Sequence, residues 1–163
     1  MKKTVCLTVL IVFLAALFST TSFAGTLNPK DEVVKAVEEA VAILEQEGSI
    51  GLEKIGKIRF GDNNYVFVND LGGKTLMHIK SHLIGKVLIG LKDDTGKRFF
   101  ADFTKIAKSK QTTINGKTAY NGSGWASYRW PKPGEKTFSP KVSYIKGCLM
   151  GDENVYVGAG IYE

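Results

Sequence analysis

Cysteine is almost missing from this chain. Of the two present, Cys6 lies in the leading apolar run, and only Cys148 stands beyond it. A single thiol makes no intrachain disulfide and no cysteine-rich metal site. Cys148 sits among Tyr144, Ile145, Leu149 and Met150, so it reads as a small buried hydrophobe. Histidine is as scarce. His78 and His82 are four residues apart, a spacing that would suit a metal on a helix. Here, however, His78 ends a strand, His82 follows in a loop, and no acid or cysteine follows at ligand spacing. The run Asp93-Asp94-Thr95-Gly96 lacks the further acids of a calcium loop and reads as a turn. Nucleophile elbows, phosphate loops and haem-attachment motifs are absent. These absences argue against a metal, a cofactor and an enzyme.

Long apolar runs are limited to one. Val5 to Phe18 is apolar but for Thr8, follows Lys2 and Lys3, and leads to Ser22-Phe23-Ala24. It falls short of the ~20 residues of a membrane span. This is the pattern of a secretory signal peptide over residues 1–24, cut after Ala24, with an uncleaved anchor as the second reading. Residues 25–163 then form one domain, periplasmic or secreted. Losing Lys2 and Lys3 takes Lys+Arg from 22 to 20 against 16 acids, a balance of +4. The cations are scattered rather than clustered, which argues against nucleic acid and suits small anions.

What is present follows two periods. Asn28 caps a helix, Pro29 suits its first position, and Asp31 and Glu32 favour its positive end. Val33, Val34, Val37, Val41 and Leu44 keep helical spacing until Gly48. A helical turn over Ile50 to Ile58 follows. Tyr65–Val68 and Lys74–Ile79 read as a hairpin around Asn69–Gly73. Phe99 to Ser109 reads as a helix. Lys110 to Gly124 reads as an exposed loop with a turn at Asn115-Gly116. Trp125–Trp130, Pro140–Cys148 and Val155–Tyr162 read as strands, the last two joined by a turn at Asp152-Glu153-Asn154. Five strands, a long N-terminal helix and a crossover helix predict an α+β domain around one antiparallel sheet.

An ordered set of blocks carries a family resemblance. It begins with Ile58-Arg59-Phe60-Gly61-Asp62-Asn63-Asn64-Tyr65-Val66-Phe67-Val68-Asn69-Asp70, then Leu76-Met77-His78 and Leu83-Ile84-Gly85-Lys86. Gly124-Trp125-Ala126-Ser127-Tyr128-Arg129-Trp130-Pro131 follows, then Pro140-Lys141-Val142-Ser143-Tyr144 and Val157-Gly158-Ala159-Gly160-Ile161-Tyr162. In this order the blocks resemble single Cache domains of the second type, extracellular sensor modules of bacterial chemoreceptors and histidine kinases. The chain departs from that pattern at Ile79, where the family usually has proline, at Asn64, where it has glycine, and near Val155, where it has tryptophan. The resemblance implies a PAS-like sheet and a ligand-binding, signal-transducing module of the kind used in chemotaxis. Because the sequence stops at Glu163, it resembles the free-standing secreted form.

The resemblance also implies a pocket for a short carboxylate such as acetate, propionate, pyruvate or lactate. Lys141 would pair with the carboxylate, Tyr128, Tyr144 and His78 would donate hydrogen bonds, and Trp125, Trp130, Phe67 and Met77 would surround the ligand. Strict strand alternation disagrees in part. It sets Trp125 opposite Tyr128 and Trp130, and Lys141 opposite Tyr144. The tryptophans have a second reading as plain core, and Lys141 as an edge-strand lysine. Two functions stay open. One is a small-ligand sensor acting through a membrane receptor or kinase, paired with a second copy through the N-terminal helix. The other is a protein-interaction module with a vestigial pocket.

Overall fold

The computed structural model describes residues 28–163. The signal peptide read over residues 1–24 lies outside the described residues. Helix α1 (Pro29–Glu47) begins where expected. The Asn28 side chain accepts from the backbone N–H groups of Lys30 and Asp31, and the chain leaves at Gly48 with φ 59°. Its buried stripe is Val33, Ala36, Val37, Ala40, Val41 and Leu44. Burying each valine or leucine is worth ~1.5–3 kcal/mol, so the stripe fixes which side of α1 meets the sheet. A 3₁₀ turn and α2 (Leu52–Ile55) follow, burying Ile55.

The sheet has six strands. β1 (Arg59–Phe60), β2 (Asn64–Asp70), β8 (Glu153–Tyr162), β7 (Phe138–Met150) and β6 (Ser123–Pro131) run in that spatial order, and β3 (Thr75–Met77) also pairs with β2. Every pairing is antiparallel. The five expected strands all form, with the two-residue β1 added. Helix α3 (Phe99–Ala107) crosses from β3 to β6. The segment expected as an exposed loop folds into a separate hairpin, β4 (Gln111–Ile114) and β5 (Lys117–Tyr120). Its turn is Asn115-Gly116 with φ 51° and 76°. Both residues have the positive φ that a two-residue hairpin turn needs. Sequence alone showed the turn but not the short polar strands beside it.

Alternation divides the sheet into two faces. α1 covers one, where Val66, Val68, Val155, Val157 and Ala159 meet its stripe, with Cys148 and Met150 alongside. α3 covers the other, where Phe99, Phe100 and Phe103 meet Tyr65, Phe67, Tyr128, Trp130, Ile145 and Tyr156. The loop before α3 is pinned by buried Asp93. Its Oδ1 accepts from the Thr95 N–H and hydroxyl and the Lys97 N–H, and its Oδ2 from the Arg129 N–H. The Asp93–Gly96 run is therefore a turn that ties the crossover to β6, as its composition predicts. Cys148 is buried, and burial pushes its thiol up to about 12, so it behaves as an inert small hydrophobe.

Candidate functional site

The site grows from three neighbouring strands on the α3 face. The register sets Tyr128 of β6 opposite Lys141 of β7, and Lys141 opposite Tyr162 of β8. Side chains directly opposite share a face, so a lysine stands in the middle of a row of tyrosines. Tyr65 and Phe67, two apart on β2, point the same way, and His78 follows the end of β3. β7 is an inner strand, which rules out the edge-lysine reading of Lys141.

Lys141 is 1% exposed. Its ammonium lies 4.1 Å from the Tyr65 ring centroid and 4.6 Å from that of Tyr162. Its Nζ has no hydrogen-bond partner among the described residues. Two ring faces offset only part of the cost of removing a charge from water. Burial, and then the charge of Lys80, lower its pKa from the ordinary lysine value to about 7.

The chamber beside it is lined by Tyr65, Phe67, His78, Phe99, Phe100, Phe103, Tyr128 and Trp130. Its free space is about 10 Å³, room for about one water, and no acid lines it. Rings pack edge to face around it. His78 stands 5.1 Å from Tyr65 and 6.0 Å from Trp130, and Phe99 stacks on Tyr128 at 4.5 Å. The donors are few and fixed. Tyr128 Oη and Ser143 Oγ are 3.0 Å apart. Trp130 Nε1 is buried with no partner among the described residues. The backbone N–H of Lys80 donates to His78 Nδ1 at 2.9 Å. That bond leaves Nε2 as the protonated nitrogen of a neutral ring. Burial, and then the charges of Lys141, Lys80 and His82, hold the His78 pKa down to about 3, so the ring stays neutral at physiological pH.

The rim is tied by one carbonyl. Pro131 O accepts from Lys80 Nζ and from Tyr162 Oη, each at 3.1 Å. Lys80 also lies 5.3 Å over the Trp130 ring. This latch joins the segment after β3 to the ends of β6 and β8.

Of the eight residues expected around a ligand, the structure brings Phe67, His78, Tyr128, Trp130 and Lys141 together. The other three stand elsewhere. Met77 pairs with Val68 and packs into the α1-side core, because neighbouring residues at a strand end point opposite ways. Trp125 and Tyr144 face each other across β6 and β7 on the α1 side, rings 5.4 Å apart. Trp125 is 38% exposed, with Lys30 over its ring. The β6–β7 register runs unbroken from Ser123 to Pro131, so no bulge turns Trp125 toward the chamber. Sequence reasoning missed Tyr65, Tyr162, Phe99, Phe100 and Phe103. Tyr65 was recoverable, since it alternates with Phe67.

Among the described residues no group of three His, Cys, Asp or Glu side chains could hold a metal. No described helix is long and apolar enough to cross a membrane. The relatives are sensors. The chain is 28% identical over 127 residues to the methyl-accepting chemotaxis protein McpP of Pseudomonas putida, an alignment covering 76% of this chain and 21% of that protein. The chain thus spans about a fifth of that relative's length. A solved periplasmic sensor domain of a chemotaxis protein is similar over 82% of this chain and 96% of its own, with 27% identity and a TM-score of 0.67. A Cache chemosensory domain solved for its carboxylic acid recognition is similar over 82% and 92%, with 28% identity and a TM-score of 0.66. A family model for the Cache domain matches residues 21–163, and with the α+β sheet and its two covering helices this places the chain in the Cache domain family of chemosensory modules.

Proposed function

We propose that this chain is an extracytoplasmic sensor module that binds a monocarboxylate of two or three carbons at Lys141 and acts through a partner. One observation carries the reading: a fully buried ammonium, without an acid beside it, next to a chamber lined by rings. A carboxylate is the partner such a cation lacks. Tyr128 and the unpaired Trp130 N–H supply neutral donors, and the phenylalanines exclude water. The carboxylic acid recognised by one related Cache domain supports the same class.

The lining also argues for selection. No acid faces the chamber to receive the ammonium of an amino acid, and a second carboxylate would lie among phenylalanine rings, unpaired. The small free volume disfavours longer chains, since each added methylene must displace packed rings. Acetate, propionate, pyruvate and lactate meet the charge limits, and each enters only as the ring lining opens, since the free space holds about one water.

A thermal-shift panel tests the reading. At a hundred times its Kd a fitting acid stabilises by ~2.7 kcal/mol, which corresponds to about 8 °C for a domain of this size. The expected result is a rise with acetate or propionate and none with glycine, alanine or succinate. A flat response to every monocarboxylate would favour the protein-interaction reading.

A further inference from the structure

We propose that ligand binding at Lys141 is coupled to proton uptake, so that the module responds to a carboxylate and to acidity together. The inference rests on the carboxylate reading above and deepens it. Its footing is the way Lys141 is enclosed. The amine is wholly buried, its nearest neighbours are the faces of Tyr65 and Tyr162, and no hydrogen-bond acceptor reaches it among the described residues. A charge so placed has two ways to lower its free energy. It can lose a proton, or it can gain an anion.

The groups facing the amine leave that choice open, because none is an acid. β2 presents Tyr65, β6 presents Tyr128, β8 presents Tyr162, and Ser143 on β7 itself is engaged with the Tyr128 hydroxyl. The segment after β3 presents neutral His78 and the cation Lys80. α3 presents phenylalanines only. Lys132 and Glu135, between β6 and β7, bear on Tyr162. Burial of the tyrosine hydroxyls raises Tyr65, Tyr128 and Tyr162 above the ordinary tyrosine value, so the cage cannot become anionic in the physiological range. The amine itself loses its proton near pH 7, whereas the unfolded chain's lysines do so near 10.5. A bound carboxylate beside it restores the charged form.

Stoichiometry follows. Above pH 7 the free module is mostly neutral at Lys141, and each carboxylate bound brings in a proton from solvent. Below pH 6 the amine is already charged, and the anion enters alone.

Calorimetric titration with sodium acetate or sodium propionate, in buffers of differing ionisation enthalpy, measures this directly. At pH 8 the expected uptake is ~0.9 proton per ligand, and at pH 6 ~0.1. The apparent Kd should weaken ~tenfold from pH 6 to pH 8. Binding with no proton uptake and an unchanged Kd at pH 8 would overturn the inference while leaving the carboxylate reading intact. If neither acid binds at pH 6, where the amine is charged, both fall. Lys141→Arg separates Lys141 from other titrating groups, because guanidinium stays charged throughout. Whatever affinity that variant retains should show no uptake at pH 8, and uptake equal to wild type would assign the proton elsewhere and overturn the inference.

Discussion

Replacing Lys141 with methionine is expected to have two effects of opposite sign: ligand binding is lost and the fold becomes more stable. Removing one member of a buried charge pair costs ~2–5 kcal/mol of binding, so the acid should bind at least ~30-fold more weakly. Without ligand, the same ammonium is a liability. It is fully buried, faces two rings, and has no acid near it. Methionine fills similar space without a charge. Buried ionic groups replaced by apolar residues of like volume gain ~1–4 kcal/mol. The gain should depend on pH in a definite direction. Since the folded amine deprotonates near 7 and the unfolded one near 10.5, the unfolded chain holds the extra proton between those values. Wild-type stability therefore rises with pH across that window, and the variant's advantage shrinks. Chemical denaturation at pH 6 and pH 10 measures both quantities. A variant that is less stable than wild type at pH 6, or that still binds, would show that Lys141 serves packing rather than a ligand.

The second large effect is expected at Gly158. This residue lies on β8 opposite Phe67 of β2 and Ile145 of β7. A Cβ there would run into the Phe67 ring and stand 2.8 Å from Ile145 Cδ1. Neither neighbour is free to retreat, since Phe67 is packed against Phe103 at 5.8 Å and Ile145 is fully buried. Gly158→Ala should cost ~1–3 kcal/mol by overpacking. It should also weaken ligand binding, because any shift forced on the Phe67 ring disturbs the chamber it lines. Two strands away on β6, Gly124→Ala offers a comparison. Its Cβ would meet Ile106 Cγ2 at 3.4 Å, an ordinary contact, and should leave binding near wild type. Equal binding by the Gly158 and Gly124 variants would separate the chamber from the ligand.

Much of the fold was legible because local signals agreed with the tertiary result. Asn28, Pro29 and Gly48 mark the ends of α1, and Val33, Val37 and Val41 keep helical spacing on one face, while Val34 stands outside the buried stripe. The strands announced themselves in the same way. The site was legible only in part, and the division has a physical cause. Family resemblance gathers residues by neighbourhood in sequence, so Trp125 came with Tyr128, and Tyr144 with Lys141. Alternation sorts them by face, and it is alternation that the unbroken β6–β7 register obeys.

Tyr162 was missed for a different reason. Its contact with Lys141 depends on where the β7–β8 hairpin turns. The expected turn was Asp152-Glu153-Asn154. The observed pairing of Met150 with Glu153 leaves Gly151 and Asp152 as the turn and carries down to Lys141 opposite Tyr162. Register depends on the turn residue by residue, and a small slip changes every partner. The phenylalanines of α3 could not be placed from sequence, since the long crossover after β3 fixes which face the helix covers. Asp93 holds that crossover through contacts with Arg129, a residue 36 positions away.

The central claim is that a carboxylate sits on the α3 face against Lys141. A crystal structure grown in propionate tests it most directly. The expected density is a carboxylate with an oxygen ~2.7–2.9 Å from Lys141 Nζ and its ethyl group among Phe67, Phe99 and Phe103. An ordered propionate on the α1 face beside Trp125 and Tyr144, with Lys141 still facing only Tyr65 and Tyr162, would contradict it.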